Sequence, residues 1–135
     1  MKQFQEELVI KTTQVQTMTD VTQTVVKVLR DSGIEEGLLT LFVPHTTAAV
    51  TINENADPDV VSDMLAGLDK VFPIKGNYRH FEGNSHAHLK ASCIGMDQSV
   101  IVEKGRMILG TWQGIYFCEF DGPRNRKLVV RIIGS

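Results

Sequence analysis

The sequence predicts an α+β domain: a largely antiparallel β-sheet system, in two packed sheets of a β-sandwich, with two flanking helices that cover one side. Two segments repeat their apolar residues with the period of an α-helix, and the C-terminal third holds short apolar runs separated by turn residues. No linker, internal repeat or low-complexity tract interrupts the chain, so we expect a single domain over residues 1–135.

The N-terminal part predicts one strand and then one helix. Residues 4–14 (FQEELVIKTTQ) contain the β-branched side chains typical of a strand. Residues 19–33 change to the helical period, with Thr19 as the expected N-cap and Gly33 in the left-handed position that ends a helix. The face that this helix is expected to bury consists of Val21, Val25, Val28 and Leu29.

The middle of the chain predicts two strands, a second helix and a loop. Residues 37–44 and 48–53 are apolar runs of strand length. The second helix should begin after Asp57, a suitable N-cap, with Pro58 in its first turn. Its expected buried face consists of Val60, Val61, Met64, Leu65 and Leu68. Residues 72–85 are rich in Gly, Asn and Pro, which predicts a long and functional loop.

The C-terminal third predicts four strands connected by short turns. Lys104–Gly105 is the expected turn between the first two of them, and the sequence DGPRN at residues 121–125 is the expected turn before the last. The predicted strands are residues 99–105, 106–113, 115–120 and 127–133.

The composition excludes several classes of protein. A net charge of −2 and a pI near 6.1 predict no general attraction to nucleic acid or to an anionic membrane. The N-terminus lacks the apolar core of a signal peptide, and no run approaches the roughly 18 apolar residues of a membrane span. Cys93 and Cys118 match no metal or redox spacing and are expected to be buried thiols. We therefore expect a soluble, cytoplasmic protein.

Residues 80–90 (HFEGNSHAHLK) hold three of the four histidines. If His86 and His88 lie on an extended segment, both side chains share one face, with Cα atoms about 6.5–7 Å apart. His80 can fold back across the turn, and His45 is a fourth candidate. Imidazole is a common ligand of zinc, and three protein nitrogens with an open position are typical of a catalytic site. The alternative is a set of solvated loop histidines.

A second polar cluster, Asn53, Glu54, Asn55 and Asp57, lies where a predicted strand meets a predicted helix. A helix N-terminus attracts anions such as phosphate. The simpler interpretation is that Asp57 caps the helix and the asparagines form a turn. Glu54 has no comparable capping role, so it is the functional candidate.

The third cluster surrounds Glu119 in residues 110–127 (GTWQGIYFCEFDGPRNRK). Ile115, Phe117 and Glu119 share one face of a predicted strand, so this carboxylate lies among apolar side chains. Such a group needs a cationic partner or has a raised pKa. Arg124 and Arg126 follow within a turn. They either form a structural ion pair or hold a phosphate or carboxylate of a ligand.

Three long motifs resemble the YjbQ-like family, whose members are labelled secondary thiamine-phosphate synthases. They are HTTAAVTINENADPD from residue 45, NSHAHLKAS from residue 84 and GTWQGIYFCEFDGPR from residue 110. The resemblance covers nearly the whole chain. It implies a β-sandwich of jelly-roll character with flanking helices, a homotrimer, and a weak ability to make thiamine phosphate.

The resemblance also implies which residues form the site. The motif histidines correspond to His45, His80 and His88, which line a polar, metal-capable pocket, and His86 is the weakest of the four. The other matching positions are Glu54, Trp112, Gln113, Glu119, Asp121, Arg124 and Arg126.

These residues support three functional hypotheses, two of them enzymatic. The first is a thiamine-phosphate synthase-type transferase, in which Arg124, Arg126 and Lys90 stabilise a diphosphate and Trp112 supplies an aromatic surface. Magnesium suits that diphosphate substrate, although a histidine-rich site fits magnesium less well because this ion prefers oxygen ligands.

The second hypothesis is a zinc-dependent hydrolase or lyase, in which the histidines bind the ion and Glu54 or Glu119 acts as the general base. The third is a non-catalytic trimer that binds a metal ion or a phosphorylated metabolite.

Overall fold

The computed structural model describes residues 1–135 and contains eight strands and three helices. In chain order these are β1 (Lys2–Lys11), β2 (Thr17–Asp20), α1 (Thr22–Ser32), β3 (Gly37–Phe42), β4 (Ala48–Glu54), α2 (Pro58–Val71), α3 (Ser85–Ile94), β5 (Asp97–Glu103), β6 (Arg106–Met107), β7 (Gln113–Glu119) and β8 (Asn125–Gly134).

The strands form two antiparallel sheets, which confirms the predicted α+β fold with two sheets. One sheet has the order β1-β8-β3-β5-β6 and the other has the order β2-β7-β4. The main core lies between them and includes the apolar face of α1. Its buried residues include Val25, Leu29, Leu39, Leu41, Val50, Ile115, Phe117, Leu128, Val130 and Ile132.

The central strand β7 is buried on both faces. Ile115 and Phe117 contact the core between the sheets, whereas Tyr116, Cys118 and Phe120 belong to a second cluster under α2 and α3. Successive side chains of a strand point to opposite faces, so the two sets alternate as predicted. Helix α1 packs into the main core, whereas α2 and α3 cover the second cluster. The prediction that the helices cover one side of the sheets was therefore wrong.

Helix α1 begins later than the sequence predicts. Thr19 is not its N-cap, because this residue lies in β2 and pairs with Phe117 of β7. Asp20 Oδ1 instead accepts a hydrogen bond of 2.9 Å from the backbone N–H of Thr22. The other end is as predicted, since Gly33 has the left-handed φ of +68°.

Helix α2 begins as predicted but buries less of its surface. Asp57 Oδ1 accepts a hydrogen bond of 2.9 Å from the N–H of Asp59, and Pro58 lies in the first turn. No residue of α2 is fully buried, so its apolar face is less buried than predicted. Four apolar side chains of α2 are partly buried and pack against the second cluster: Val61, Met64, Leu65 and Leu68.

The main error in the predicted secondary structure is that the third helix, α3, was not predicted. The sequence predicted no helix after α2 and an extended segment was considered for His86 and His88, but residues 85–94 form a helix. His86 and His88 therefore do not share a face, because positions two apart on a helix point roughly 200° away from each other. The predicted loop is correct over residues 72–84.

The β-hairpin after β5 is shorter than predicted. The turn at Lys104–Gly105 is confirmed, with φ of +53° and +73°. Only Arg106–Met107 then pair with β5, and residues 108–112 are irregular, so the predicted strand over residues 106–113 is wrong over most of its length. None of the three helices is both long and apolar enough to span a bilayer.

Candidate functional site

The predicted site residues lie at two opposite ends of the three-stranded sheet. Strands β4 and β7 pair from Ala48 opposite Glu119 at one end to Glu54 opposite Gln113 at the other. Six residues of strand separate these ends by about 20 Å. Glu54, Gln113 and the exposed Trp112 are therefore remote from Glu119 within one chain.

A polar cleft of about 460 Å³ lies at the Glu119 end. We call it the histidine cleft. It brings together six of the predicted site residues, which are His45, His80, His88, Asp121, Arg124 and Arg126. Thr46, Thr47, Glu82 and Asn84 complete most of its lining, and no large apolar side chain takes part. Such a lining suits a small polar ligand.

Glu119 and Arg126 form a buried ion pair at the base of the histidine cleft. Arg126 Nε donates to Glu119 Oε1 at 2.8 Å, and its Nη2 donates to Glu119 Oε2 and, at 2.8 Å, to Thr47 Oγ1. Glu119 also accepts from Thr12 Oγ1 at 2.7 Å and from the N–H of Asp121 at 3.1 Å. Burial acts to raise the pKa of Glu119, but the hydrogen bonds from Arg126 and Thr12 outweigh it, so the pKa lies below its usual value. An ionised, fully hydrogen-bonded carboxylate is not suited to general-base catalysis.

Arg124 is paired as well, but it keeps donors for a ligand. Its Nε donates to the Asp121 carbonyl oxygen at 2.7 Å and its Nη2 to Asp121 Oδ2 at 2.9 Å. A guanidinium has five N–H donors, so three of those on Arg124 remain without a partner in the chain. About half of the side chain is exposed. Arg124 is therefore the guanidinium that a ligand in the cleft can reach.

Asn84 supplies a buried acceptor with no partner. Its Nδ2 donates to Asp121 Oδ2 at 2.9 Å, which fixes the orientation of the amide because the reverse would place two oxygens together. Its Oδ1 has no hydrogen-bond partner, although the residue is only 8% exposed. Such atoms are rare in native proteins and mark a position for water or a ligand.

His45 is held as a neutral imidazole. Its Nε2 accepts a hydrogen bond of 2.8 Å from the backbone N–H of Lys127, so the ring proton of the neutral form is on Nδ1. Burial and the nearby charge of Arg126 lower the pKa of His45 below the ordinary histidine value. In this arrangement His45 has a free N–H donor but no free nitrogen lone pair.

His80 and His88 form a pair of imidazoles without hydrogen bonds. Their ring centroids are 5.7 Å apart and the rings are nearly perpendicular. Two imidazoles on one tetrahedral zinc ion have centroids about 5 Å apart, so this pair fits two ligand positions. The third predicted ligand, His45, has its Nε2 engaged, and no three His, Cys, Asp or Glu side chains converge on one point. The predicted three-histidine metal site fits these side chains only in part, and it stays a prediction.

His86 and Lys90 lie outside the histidine cleft, on the buried side of α3. Lys90 is fully buried, and its Nζ donates to Gln16 Oε1 at 2.7 Å, Asp69 Oδ1 at 2.6 Å and His86 Nδ1 at 2.8 Å. All three ammonium protons are thus used. This network ties α3 to α2 and to the segment before β2, so Lys90 is not available to a diphosphate in this arrangement.

Sequence reasoning missed three polar residues that complete the site. Thr12 and Thr47 orient the buried ion pair, and Asn84 supplies the unpartnered acceptor. Thr12 is 107 positions from Glu119 in the chain, so no local pattern links them. Asn84 lies within a recognised motif, but its burial depends on the unpredicted helix α3.

The family model described as UPF0047 protein YjbQ-like matches residues 6–135. The chain belongs to the YjbQ-like UPF0047 family. Among its relatives, UPF0047 protein YugU of Bacillus subtilis is 55% identical over 128 residues, covering 94% of this chain and 97% of YugU. A UPF0047 protein of Methanocaldococcus jannaschii is 46% identical over 126 residues, covering 93% of this chain and 91% of that protein.

Solved structures from the YjbQ-like family have the same fold. An uncharacterised family member from Clostridium acetobutylicum matches with a TM-score of 0.93 at 56% identity, covering 95% of this chain and 99% of that one. A YbjQ-like protein of unknown function from Sulfolobus solfataricus matches with a TM-score of 0.96 at 31% identity, covering 99% of each chain. The architecture is thus retained at low identity within the family.

Proposed function

We propose that this protein is a small-molecule enzyme that binds a phosphorylated or otherwise anionic substrate in the histidine cleft. The proposal is supported by hydrogen-bond donors that line the histidine cleft and have no partner in the chain. These donors are three N–H groups of Arg124 and the Nδ1–H of His45. Arginine donors match phosphate oxygens in geometry, and a partly enclosed cleft strengthens such bonds. The unpartnered Asn84 Oδ1 adds a position for a donor of the substrate.

The first candidate reaction is the thiamine-phosphate synthase-type transfer that the family resemblance implies. Expulsion of pyrophosphate requires donors for its developing charge, and the histidine cleft can supply them through Arg124 and His45. Magnesium, where a diphosphate is bound, neutralises that charge and is held mostly by phosphate and water oxygens. Trp112 lies about 20 Å from the cleft, so an aromatic surface from this residue requires a neighbouring copy. The predicted homotrimer remains a proposal, for which size measurement in solution is the test.

The second candidate is a transition-metal-dependent hydrolase or lyase, and the observation that favours it is the pair His80 and His88. Both rings lack hydrogen bonds and stand at a spacing that two metal ligands can have. Zinc bound there supplies a water of lowered pKa. The predicted bases are poorly placed for this reaction, since Glu119 is engaged with Arg126 and Glu54 lies at the far end of β4. We therefore rank this candidate second.

The test of anion binding compares Arg124→Gln with Arg131→Gln. Arg131 is an exposed guanidinium of β8 that bonds Gln5, remote from the histidine cleft. Loss of one charged hydrogen-bond donor predicts at least tenfold weaker pyrophosphate binding for Arg124→Gln by calorimetry, and no change for Arg131→Gln. Absence of pyrophosphate binding by the unaltered protein contradicts the proposal.

Activity and metal-content measurements then distinguish the two candidate reactions. If the transferase is correct, His88→Ala abolishes thiamine-phosphate formation in a purified assay. If the hydrolase is correct, protein purified without a histidine tag holds near-stoichiometric transition metal, and His80→Ala removes it. Binding without synthesis or hydrolysis above background leaves the third hypothesis, a non-catalytic binding protein.

A further inference from the structure

We propose that residues 73–83 form a strap that closes over an anion in the histidine cleft, and that closure brings Arg79 to this anion as a second free guanidinium. The inference rests on the proposed function, because the bound anion is what draws the strap inward. It adds to that function an anion-binding residue from outside the cleft lining and a conformational step.

The strap is tied to the rest of the protein only at its two ends. At one end the N–H of Phe72 donates to the Leu68 carbonyl oxygen at 2.8 Å, where α2 ends. At the other end Asn84 Nδ2 donates to Asp121 Oδ2 at 2.9 Å. Between these anchors, no residue of the strap forms a hydrogen bond or an ion pair with a residue outside it. A segment with so few ties changes its position at low free-energy cost.

The first half of the strap is braced within itself, so we expect the movement in residues 79–83. The Tyr78 hydroxyl donates to the Pro73 carbonyl oxygen at 2.7 Å. The Tyr78 ring also lies against Gly76, where an added Cβ would be 2.8 Å from it. By contrast, Gly83 has a left-handed φ of +79° and open space around the position of a Cβ. Such a residue at the end of a segment can absorb a large backbone rotation.

The mobile half carries three polar side chains to the mouth of the histidine cleft. His80 and Glu82 line the cleft itself. Arg79 lines an adjoining cavity, which shares His80 and His88 with the cleft. Arg79 forms no hydrogen bond or ion pair, so its guanidinium keeps all five N–H donors. Because it directly precedes a cleft-lining residue, a small rotation of the strap moves these donors into the cleft.

The charges of the cleft explain why closure depends on an anion. Arg126 is balanced by Glu119, and Arg124 is balanced by Asp121. The fixed walls of the cleft therefore offer Arg79 no unpaired carboxylate. A phosphate or pyrophosphate group supplies the missing negative charge, and a partly enclosed site strengthens its attraction for a cation. The anion thus binds the closed arrangement more tightly than the open one, which shifts the population toward closure.

Phe81 supplies a second driving force for closure. Its side chain is completely exposed, at 102%, and it lies between the cleft-lining residues His80 and Glu82. Folding this part of the strap onto the mouth of the cleft removes apolar surface from water. The ring then also excludes water from the bound anion, which strengthens the hydrogen bonds of the anion to the protein.

The first test is a fluorescence titration of the full chain with pyrophosphate. The natural sequence has one tryptophan, Trp112, so the variant Phe81→Trp/Trp112→Phe carries its only indole on the strap. Its emission should shift to shorter wavelength as the indole leaves water. Wild-type protein is the control, because Trp112 lies about 20 Å from the cleft and its emission should not change. Calorimetry on the same samples measures the binding of pyrophosphate independently.

The second test concerns the guanidinium and compares Arg79→Gln with Lys75→Gln. Lys75 is the matched control, since it lies on the same strap, has the same charge and lines neither cavity. Loss of charged hydrogen bonds predicts about tenfold weaker pyrophosphate binding for Arg79→Gln, and Lys75→Gln should bind as the wild type does. In the Phe81→Trp/Trp112→Phe background, Arg79→Gln should also reduce the emission shift at saturating pyrophosphate.

The outcomes separate this inference from the proposed function. Binding of pyrophosphate without an emission shift overturns the strap and leaves the proposed function intact. Equal effects of Arg79→Gln and Lys75→Gln overturn the role of Arg79. Absence of pyrophosphate binding contradicts the proposed function, and the strap with it.

Trypsin cleavage of wild-type protein gives a measurement that needs no variant. Pyrophosphate should slow cleavage after Arg79 without slowing cleavage after Lys104, which lies in the exposed turn between β5 and β6. If bound pyrophosphate leaves the rate of cleavage after Arg79 unchanged, the strap is overturned.

Discussion

Replacing Arg126 by methionine removes the cation paired with the buried carboxylate of Glu119. The change also removes two hydrogen bonds to Glu119 and the one to Thr47 Oγ1. Glu119 is completely buried, so water cannot replace the lost donors without opening the structure. Methionine has a similar length and fills most of the space, so the experiment removes charge more than volume.

The expected cost in the free energy of unfolding is about 3 kcal/mol at pH 7. Breaking a buried ion pair by removing one partner costs roughly 3–5 kcal/mol. Glu119 retains hydrogen bonds from Thr12 and from the backbone of Asp121, which favours the lower end of that range. With an m-value of about 2 kcal/mol/M, the midpoint of urea unfolding should fall by about 1.5 M.

The cost should also depend on pH in a defined direction. In the wild-type protein the pKa of Glu119 is below the ordinary glutamate value of 4.5, so ionised Glu119 contributes stability above pH 4.5, and this is lost as the pH falls through the lowered pKa. Without Arg126, burial is opposed by fewer hydrogen bonds and the pKa of Glu119 should rise. The variant then regains stability as its carboxyl group is protonated. The difference between wild type and Arg126→Met should shrink from pH 7 toward pH 4.5.

The assay is urea unfolding followed by circular dichroism at several pH values. Lys127→Met is the control, because Lys127 forms an ion pair of 2.9 Å with Glu7 in which both side chains are about half exposed. Such a pair is worth up to about 1 kcal/mol. The double variant Glu119→Gln/Arg126→Met should regain at least about 1 kcal/mol, since it has no unpaired buried charge. The reasoning is refuted if Arg126→Met costs no more than Lys127→Met, or if its cost is the same at every pH.

Three other predictions concern packing and reactivity. Gly67→Ala should stabilise the protein by about 0.5–1 kcal/mol, because Gly67 is in the interior of α2 and no atom lies within 4 Å of an added Cβ. Gly37→Ala should destabilise the protein, because its Cβ would overlap the backbone of β8. A lower free energy of unfolding for Gly67→Ala than for Gly37→Ala, measured in urea, contradicts this. The prediction of two buried thiols was wrong for Cys93, which is exposed, and correct for Cys118. A thiol-specific disulfide reagent should therefore modify only Cys93 quickly, since burial raises the pKa of Cys118 to about 12. Fast reaction of the Cys93→Ser protein would show this to be wrong. Lys90→Met should lower the free energy of unfolding by about 1–3 kcal/mol, because it removes one buried and two partly buried hydrogen bonds. An unchanged free energy of unfolding would show that these bonds contribute nothing net.

The correctly predicted elements are those whose signals act over a few neighbouring residues. Asp57 and Pro58 determine the start of α2 through their own backbone and side-chain chemistry, and Gly33 ends α1 because glycine adopts a left-handed φ readily. The alternation of side chains between the two faces of β7 was also predicted correctly, since it follows from strand geometry alone. The pairing of Glu119 with Arg126 was one of the stated alternatives, because a strand and a short turn bring positions seven apart together.

Tertiary contacts decided the rest. Helix α3 has a weak sequence pattern, because the polar His86 and Lys90 are buried whereas Leu89 is exposed. It forms where Ala87 and Ala91 pack against the second core cluster. That helix separates His86 from His88, buries Lys90 in its network, and leaves His88 beside His80. No local spacing encodes these outcomes, since side chains far apart in the chain determine which side of a helix meets the core. The residue types in the motifs thus predicted a polar pocket, and the packing of α3 selected which of them line it.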